Sequence, residues 1–346
     1  MISQMKITNI TTQVKQIELK TPFKTALRET SHVEFVRVFV EDDAGNVGIG
    51  EAPATKAITG EDIEIILESV QSVKESFLTL TCKEALEFLH TSCKIGSSAK
   101  AALDMAFISL HLKETNQTMA SYFGIKNLTP IKTDVTISLN SVDAMMQDAK
   151  KAYEEGKYIL KVKVGSDVLH AVDIVRRIAK ELPSCEILVD ANQAWNFEST
   201  LLFIKNMFDL KVELIEQPVV AADLDTLKKI THFSSIPILA DEAVFNLEDV
   251  KKVMESQSAN MINIKLMKCG GVTKAIEILE YARQNNITCM LGSMLEGPYS
   301  INIALYLAFA YRDVVRYVDL DSPLLYKEPS SELDFIFSGC EILFKN

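Results

Sequence analysis

Histidine, proline and glycine are scarce in this chain, and tryptophan is nearly absent: 5 His, 9 Pro, 13 Gly and 1 Trp in 346 residues. So little glycine and proline excludes collagen-like and low-complexity architectures. The histidines form no His-x-His or His-Glu-x-x-His, which argues against a zinc hydrolase. The six cysteines are scattered without a Cys-x-x-Cys and read as free thiols in a reducing cytoplasm. The longest apolar run, residues 303–311, is too short to cross a bilayer. Lys6, Lys15 and Lys20 interrupt a polar N-terminus, so no signal peptide is expected. An excess of positive charge is missing too. The net charge of −11 argues against nucleic acid or an anionic membrane as partner.

What is present is a folded, soluble composition, 48% hydrophobic and 24% charged. The chain changes character near residue 128. Before it, strand-like alternation at 6–20, 34–41 and 47–51 is followed by helical periodicity at 61–77, 83–90 and 97–113. Strands followed by helices suggest an α+β domain, with polar loops at 21–30 and 51–60. After Pro130, eight short strands alternate with helices: 132–137, 158–164, 186–189, 212–215, 236–239, 261–264, 288–291 and 316–318. That alternation predicts a (β/α) barrel. A doubly wound sheet would show a glycine-rich turn after its first strand, and none is there. The expected domains are a cap over 1–128, a barrel over 129–320 and a segment 321–346 that runs back to the cap.

In such barrels the active site lies at the C-terminal strand ends. Lys163, Asp190, Glu216, Asp241 and Lys265 end strands 2 to 6, separated by 27, 26, 25 and 24 residues. Asp190, Glu216 and Asp241 on neighbouring strands would repel one another unless a cation sits among them. An all-oxygen set favours Mg²⁺, with Mn²⁺ as a substitute. The alternative is a set of carboxylates paired with lysine or arginine across the mouth. Strands 2 and 6 are four apart in a ring of eight, so Lys163 and Lys265 face each other. Lys161 shares the inner face with Lys163. Crowded ammonium groups near a cation favour a neutral amine, usable as a base, although either lysine singly could serve as a salt-bridge partner. A cation holding a carboxylate between two opposed bases suits proton removal α to that carboxylate. An enediolate would form, and a proton returned to the other face would invert the carbon.

With these motifs the sequence resembles the enolase superfamily, in its muconate-lactonizing subgroup. The marks are Lys161-Val-Lys163, Asp190-Ala-Asn192-Gln193, Glu216-Gln217-Pro218, Asp241-Glu242 and Asn263-Ile-Lys265. The resemblance implies a (β/α)7β modified TIM barrel with an N-terminal α+β capping domain. It implies Mg²⁺ on Asp190, Glu216 and Asp241, Lys163 and Lys265 as the acid/base pair, and Lys161 on the substrate carboxylate. Within the subgroup the chain is most similar to dipeptide epimerases of the L-Ala-D/L-Glu type. Pro22 to Arg28, Gly292-Ser293-Met294-Leu295-Glu296 and Asp319-Leu320-Asp321 carry that likeness. It implies dipeptide contacts from Arg28, Thr136, Ser293, Met294, Glu296, Asp319 and Asp321. The last two acids would suit the dipeptide's ammonium; helix or turn capping is the other reading of them. Arg28 could meet an acidic substrate side chain or bridge cap and barrel. Gly297-Pro298 departs from the usual Thr after the loop's Glu, leaving small, apolar and glutamate second residues all open. The expectation is a cytoplasmic, homo-oligomeric isomerase acting on Ala-Xaa dipeptides. Its alternatives are an N-acylamino acid racemase, an o-succinylbenzoate synthase or a cycloisomerase, a Schiff-base aldolase, or a non-catalytic binder on the same fold.

Overall fold

The computed structural model describes residues 5–25 and 29–345. It opens on an antiparallel meander of β1 (Ile7–Lys24), β2 (Glu29–Asp42) and β3 (Val47–Pro53). Asp42 shapes the turn between β2 and β3. Its Oδ1 accepts from Ala44 N at 2.9 Å and Asn46 N at 2.8 Å, and Gly45 supplies the left-handed residue at φ 82°. The meander packs on the helix Ser97–Glu114 at very close range. A Cβ on Gly50 would lie 2.0 Å from Ala102 O. The glycines of β3 and the alanines of the helix are therefore matched surfaces.

Two segments expected as loops are partly regular. Residues 21–24 and 29–30 extend the hairpin, with Phe23 opposite Thr30 after a shift of register beyond Glu18. Residues 51–53 complete β3, and Lys56–Thr59 form a helical turn. The first expected barrel strand also divides. Ile131–Lys132 (β4) joins a separate small sheet, and only Val135–Ile137 (β5) enters the barrel. The break falls at Thr133 and Asp134, whose polar groups bond across the barrel seam rather than along the strand.

The barrel continues through β6 (Ile159–Lys163), β7 (Glu186–Asp190), β8 (Leu214–Glu216), β9 (Ile238–Ala240), β10 (Met261–Lys265), β11 (Thr288–Gly292) and β12 (Val315–Asp319). Neighbours pair in parallel in sequence order from β5 to β12. The seam between β12 and β5 is bridged by Asp134 N to Val318 O at 3.1 Å and Thr133 Oγ1 to the same oxygen at 3.1 Å. Connecting helices begin on polar caps that free backbone N–H groups require. Asp167 caps Val168–Glu181, and Asn246 forms a capping box with Asp249 on Leu247–Glu255. Their apolar faces, such as Ile174, Val175 and Ile178, are buried against the sheet.

After β12 no full barrel helix follows. Leu19 of β1 bridges to Tyr326, and Lys327 N donates to Glu18 O at 2.8 Å, so the chain crosses the capping strands. It ends in the hairpin β13 (Phe335–Ser338) and β14 (Glu341–Phe344), which pairs with β4. Among the described residues, no helix is long and apolar enough to cross a membrane, and all six cysteines are free.

Candidate active site

The barrel interior changes chemistry within one pleat. Leu188, Leu214, Leu239, Met261, Met290 and Tyr317 form a single buried apolar layer. Residues two apart on a strand share a face. The next layer toward the C-terminal ends is therefore Asp190, Glu216, Asp241, Asn263, Gly292 and Asp319, joined by Lys161 and Lys163 from β6. Cross-strand register sets Lys163 beside Asp190, Asp190 beside Glu216, and Gly292 between Lys265 and Asp319. Gly292 leaves the space that Lys265 uses. A Cβ there would stand 3.1 Å from Lys265 Cε and 2.7 Å from Asn263 Oδ1.

Seven carboxylates and four lysines are buried in this mouth: Asp134, Asp190, Glu216, Asp241, Glu242, Asp319 and Asp321 against Lys161, Lys163, Lys265 and Lys268. Lys161 Nζ lies 2.6 Å from Glu216 Oε2, 2.6 Å from Asp319 Oδ2 and 3.2 Å from Asp190 Oδ2. Lys163 pairs with Asp190 at 2.5 Å. Asp241 holds Lys265 at 2.7 Å and Lys268 at 2.5 Å. Lys163 of β6 and Lys265 of β10, four strands apart in the barrel order, line one cavity together with Asp241, Asp319, Asp321 and Thr136 and with Phe23, Thr55 and Ile58 of the cap.

The charge imbalance appears in the carboxyl groups. Burial and the neighbouring Asp190 push Glu216 up to about 7, and burial with Asp241 and Asp190 pushes Glu242 up to about 8. Burial and Asp319 raise Asp321 to about 6. Asp134 is raised by burial and by Asp319, and both its oxygens lack a hydrogen-bond donor. Burial opposes ionisation of Asp190 as well, but Lys163, Lys161 and Lys265 outweigh it and hold Asp190 near 2. The neutral amine expected from crowded ammonium groups is not favoured at Lys161 or Lys265 by their carboxylate surroundings. Burial pulls Lys161 and Lys265 down, yet the carboxylates around them raise both above the ordinary lysine range.

The expected site residues converge, with some differences. Asp190, Glu216 and Asp241 share one wall but are interleaved with lysines. Among the described residues, oxygens within 4.8 Å of one another occur instead in Asp134, Asp319 and Asp321, a spacing that could hold a divalent ion. In that second group, Asp321 Oδ2 accepts from Thr136 N at 2.6 Å, and Lys161 occupies Asp319. Ser293 and Met294 line the cavity. Glu296 sits behind them and accepts from Met294 N at 2.8 Å and from the Ser300 hydroxyl. Arg28 lies outside the described residues.

Supporting residues were harder to read from sequence. Gln217 adopts φ 34°, and its Oε1 accepts from Asp241 N at 3.0 Å and Ala243 N at 3.1 Å. Asn192 and Gln193 are also left-handed, at φ 43° and 67°, so backbone strain gathers at these strand ends. Asn263 donates to Glu216 at 2.7 Å. Asp134 and Lys268 also belong to the buried mouth, outside the motifs that mark the site in the sequence. The alternation from Thr136 back to Asp134 pointed to the first, whereas Lys268 lies beyond its strand and has no comparable periodic cue.

The comparisons with known proteins agree with this geometry. Residues 7–124 match the mandelate racemase / muconate lactonizing enzyme N-terminal domain, and residues 144–338 match the enolase C-terminal domain-like family. The chain is 70% identical to the L-amino acid-D/L-Glu epimerase of Sulfurimonas denitrificans, over 98% of this chain and 99% of that protein. It superimposes on a substrate-liganded L-Ala-D/L-Glu epimerase from Bacillus subtilis with TM-score 0.93 at 35% identity, covering 98% and 96% of the two chains. The dipeptide epimerase of Enterococcus faecalis V583, complexed with Mg and the dipeptide L-Leu-L-Tyr, gives TM-score 0.91 at 28% identity, covering 99% and 98%. On both its domains, then, the chain belongs to the mandelate racemase / muconate lactonizing enzyme family of the enolase superfamily.

Proposed function

We propose that this protein is a Mg²⁺-dependent dipeptide epimerase that inverts the α-carbon of a dipeptide's C-terminal residue. The observation that carries the reading is a pair of lysines, Lys163 on β6 and Lys265 on β10, four strands apart in the barrel and lining one cavity with acidic groups. A single lysine would serve a Schiff-base aldolase, and such an enzyme has no use for the second lysine or for the excess of buried acid. Similarity to dipeptide epimerases at up to 70% identity supports the substrate class.

The metal ligands in this reading are Asp190, Glu216 and Asp241. The donor set fits a hard ion: it is all oxygen, buried and on adjacent strands, and Glu216 Oε2 accepts no hydrogen bond beyond its ion pair with Lys161. Among the described residues seven buried carboxylates face four lysines in the mouth, and a divalent cation would offset part of that acidic excess. Bound there, the ion would stabilise negative charge developing on the substrate carboxylate. Holding it requires Lys161 to release Glu216, and Lys161 is then free to meet that same carboxylate.

The protein's own groups do the rest. Whichever of Lys163 and Lys265 holds the neutral amine takes the α-proton from its face and becomes the ammonium, and the other, held as the ammonium, donates its proton to the opposite face and becomes the neutral amine. The configuration inverts when the two faces are used in turn. Asp319 and Asp321 meet the dipeptide's α-ammonium, which an N-acylated substrate lacks. Thr55, whose buried hydroxyl has no hydrogen-bond partner, and Ile58 close the cavity from the cap. Proton NMR in D₂O tests the reading: an L-Ala-L-Xaa panel with Mg²⁺ should show α-proton loss at the second residue and appearance of the epimer. No exchange across Ala-Glu, Ala-Ala and apolar dipeptides would end it.

A further inference from the structure

Among the described helices of nine residues or more, three start without a side-chain cap of their own. Ser97–Glu114 begins after Gly96, Val272–Gln284 after Gly271 and Pro298–Ala310 after Gly297. In each case a distant buried carboxylate takes the free N–H groups. Glu61 accepts from Ser98 N at 2.7 Å and Ala99 N at 3.1 Å. Asp104 accepts from Val272 N at 2.7 Å and Thr273 N at 3.3 Å. Glu51 accepts from Tyr299 N at 2.9 Å and Ser300 N at 3.4 Å. Glycine at the cap position is what admits these groups. A Cβ would lie 2.2 Å from the Glu61 carboxyl, 2.6 Å from that of Asp104 and 2.4 Å from Glu51 Oε2. Asp104 and Glu51 belong to the capping domain, and the helices they cap belong to the barrel.

Glu51 differs from the other two in what its helix is attached to. The helix follows directly on residues 293–297, and Met294 and Leu295 of that loop line the reaction cavity. Leu295 packs in one cluster with Leu19, Val33, Phe35 and Tyr326, so the loop rests on capping strands. Glu51 is itself held. Arg37 Nε donates to its Oε1 at 2.8 Å, and the same guanidinium forks onto Glu332 at 2.8 Å through both terminal nitrogens. Arg37 also lies over the Tyr299 ring, 4.7 Å from its centroid. Capping strands, cavity loop and C-terminal segment therefore meet at one carboxylate.

We propose that Glu51 is a positioning residue for the known pocket: through the N-terminus of Pro298–Ala310 it fixes the 293–297 loop, and with it the wall that Met294 and Leu295 present to the substrate side chain. Only the nature of what meets that wall rests on the dipeptide reading. The loop's order does not.

The test uses the full chain with Glu51→Gln, Gly297→Ala and, as a control, Asp104→Asn. Glu51→Gln removes the charge, and Gly297→Ala forces the carboxylate away without altering it. Amide hydrogen exchange over residues 293–300 should rise about tenfold in both, the scale of a lost helix cap. In Asp104→Asn the rise should instead fall at 272–273. The ratio of kcat/KM between dipeptides with small and large second residues should shift about tenfold in the first two variants, through KM rather than kcat, and stay constant in the control. Unchanged exchange at 293–300 in both variants would overturn the proposal whatever the substrate. Faster exchange with an unaltered dipeptide ratio would overturn the link to the pocket wall. A wild-type enzyme inert toward every dipeptide would instead count against the proposed function, and amide exchange would still decide this one.

Discussion

Lys163 and Lys265 stand four strands apart in the eight-stranded barrel, and each is anchored by a different carboxylate: Asp190 at 2.5 Å and Asp241 at 2.7 Å. Two bases tethered separately can act on separate faces of one carbon. Lys163→Ala and Lys265→Ala should each abolish epimerisation, by about 10³-fold or more, since positioned acid–base groups contribute on that scale. Each variant should retain α-proton exchange with only one stereoisomer, the complementary one in each case. Exchange in D₂O followed for L,L and L,D dipeptides separately checks this. Equal loss for both stereoisomers in both variants would mean that the lysines do not divide the faces.

Removal of divalent metal should abolish turnover, and added Mg²⁺ should restore it. Binding should also raise the midpoint of thermal unfolding, because a ligand at about 100-fold its Kd stabilises the folded state by about 2.7 kcal/mol. The structure offers two acidic groups, so the location needs its own test. Asp241→Asn should erase the Mg²⁺-dependent rise, whereas Asp321→Asn should leave it in place. The opposite pattern would move the ion to Asp134, Asp319 and Asp321.

The charged part of the polar layer is legible in the sequence because Lys163, Asp190, Glu216, Asp241 and Lys265 end or directly follow a strand and recur after one βα unit. Asp190, Glu216 and Asp241 could be placed by counting alone. The lysine–carboxylate contacts could not, because periodicity gives the strand and the face but not which ammonium reaches which oxygen. Lys161 illustrates the difference: sequence puts it beside Lys163, and the structure ties it to Asp319, two strands away over the β5–β12 seam, at 2.6 Å. The capping contacts were less legible still. Glu51 looked like the start of a loop, and its role depends on a helix 247 residues further on that begins at Pro298. Gly297 was noted as a departure from the family pattern. Its physical reason, room for a carboxylate from another domain, exists only in three dimensions.

Asp321→Asn bears on substrate class. Its Oδ2 already accepts from Thr136 N, and Asp319 adjoins it, so the pair presents negative charge at the β12 side of the cavity. Neutralising one member should weaken dipeptides with a free ammonium by about tenfold or more, as expected for losing a charge-assisted hydrogen bond. N-acylated analogues should bind as before or better. Equal effects on both series, measured as KM, would remove the ammonium role and favour an N-acylamino acid racemase.

Glu296 gives the stability curve a direction. It is fully buried behind the cavity wall, and burial pushes its carboxyl up to about 7, with Ser300 and Met294 N–H pulling the other way. Its ordinary value is 4.5. The folded state therefore binds the proton more tightly than the unfolded chain does. That contribution is complete below about pH 4.5, is lost as pH rises toward 7, and is gone above it. The shift corresponds to about 3 kcal/mol. Glu296→Gln replaces the protonated acid with a neutral group of the same shape. Its stability should match that of the wild type near pH 4.5 and exceed it at pH 8 by up to about 3 kcal/mol. Urea unfolding at pH 4.5, 6 and 8 measures the difference directly. A constant gap at all three values would show that Glu296 does not titrate in this window. The slope would then belong to another buried acid, of which Glu51, raised by burial to about 7 despite Arg37, is the first to test.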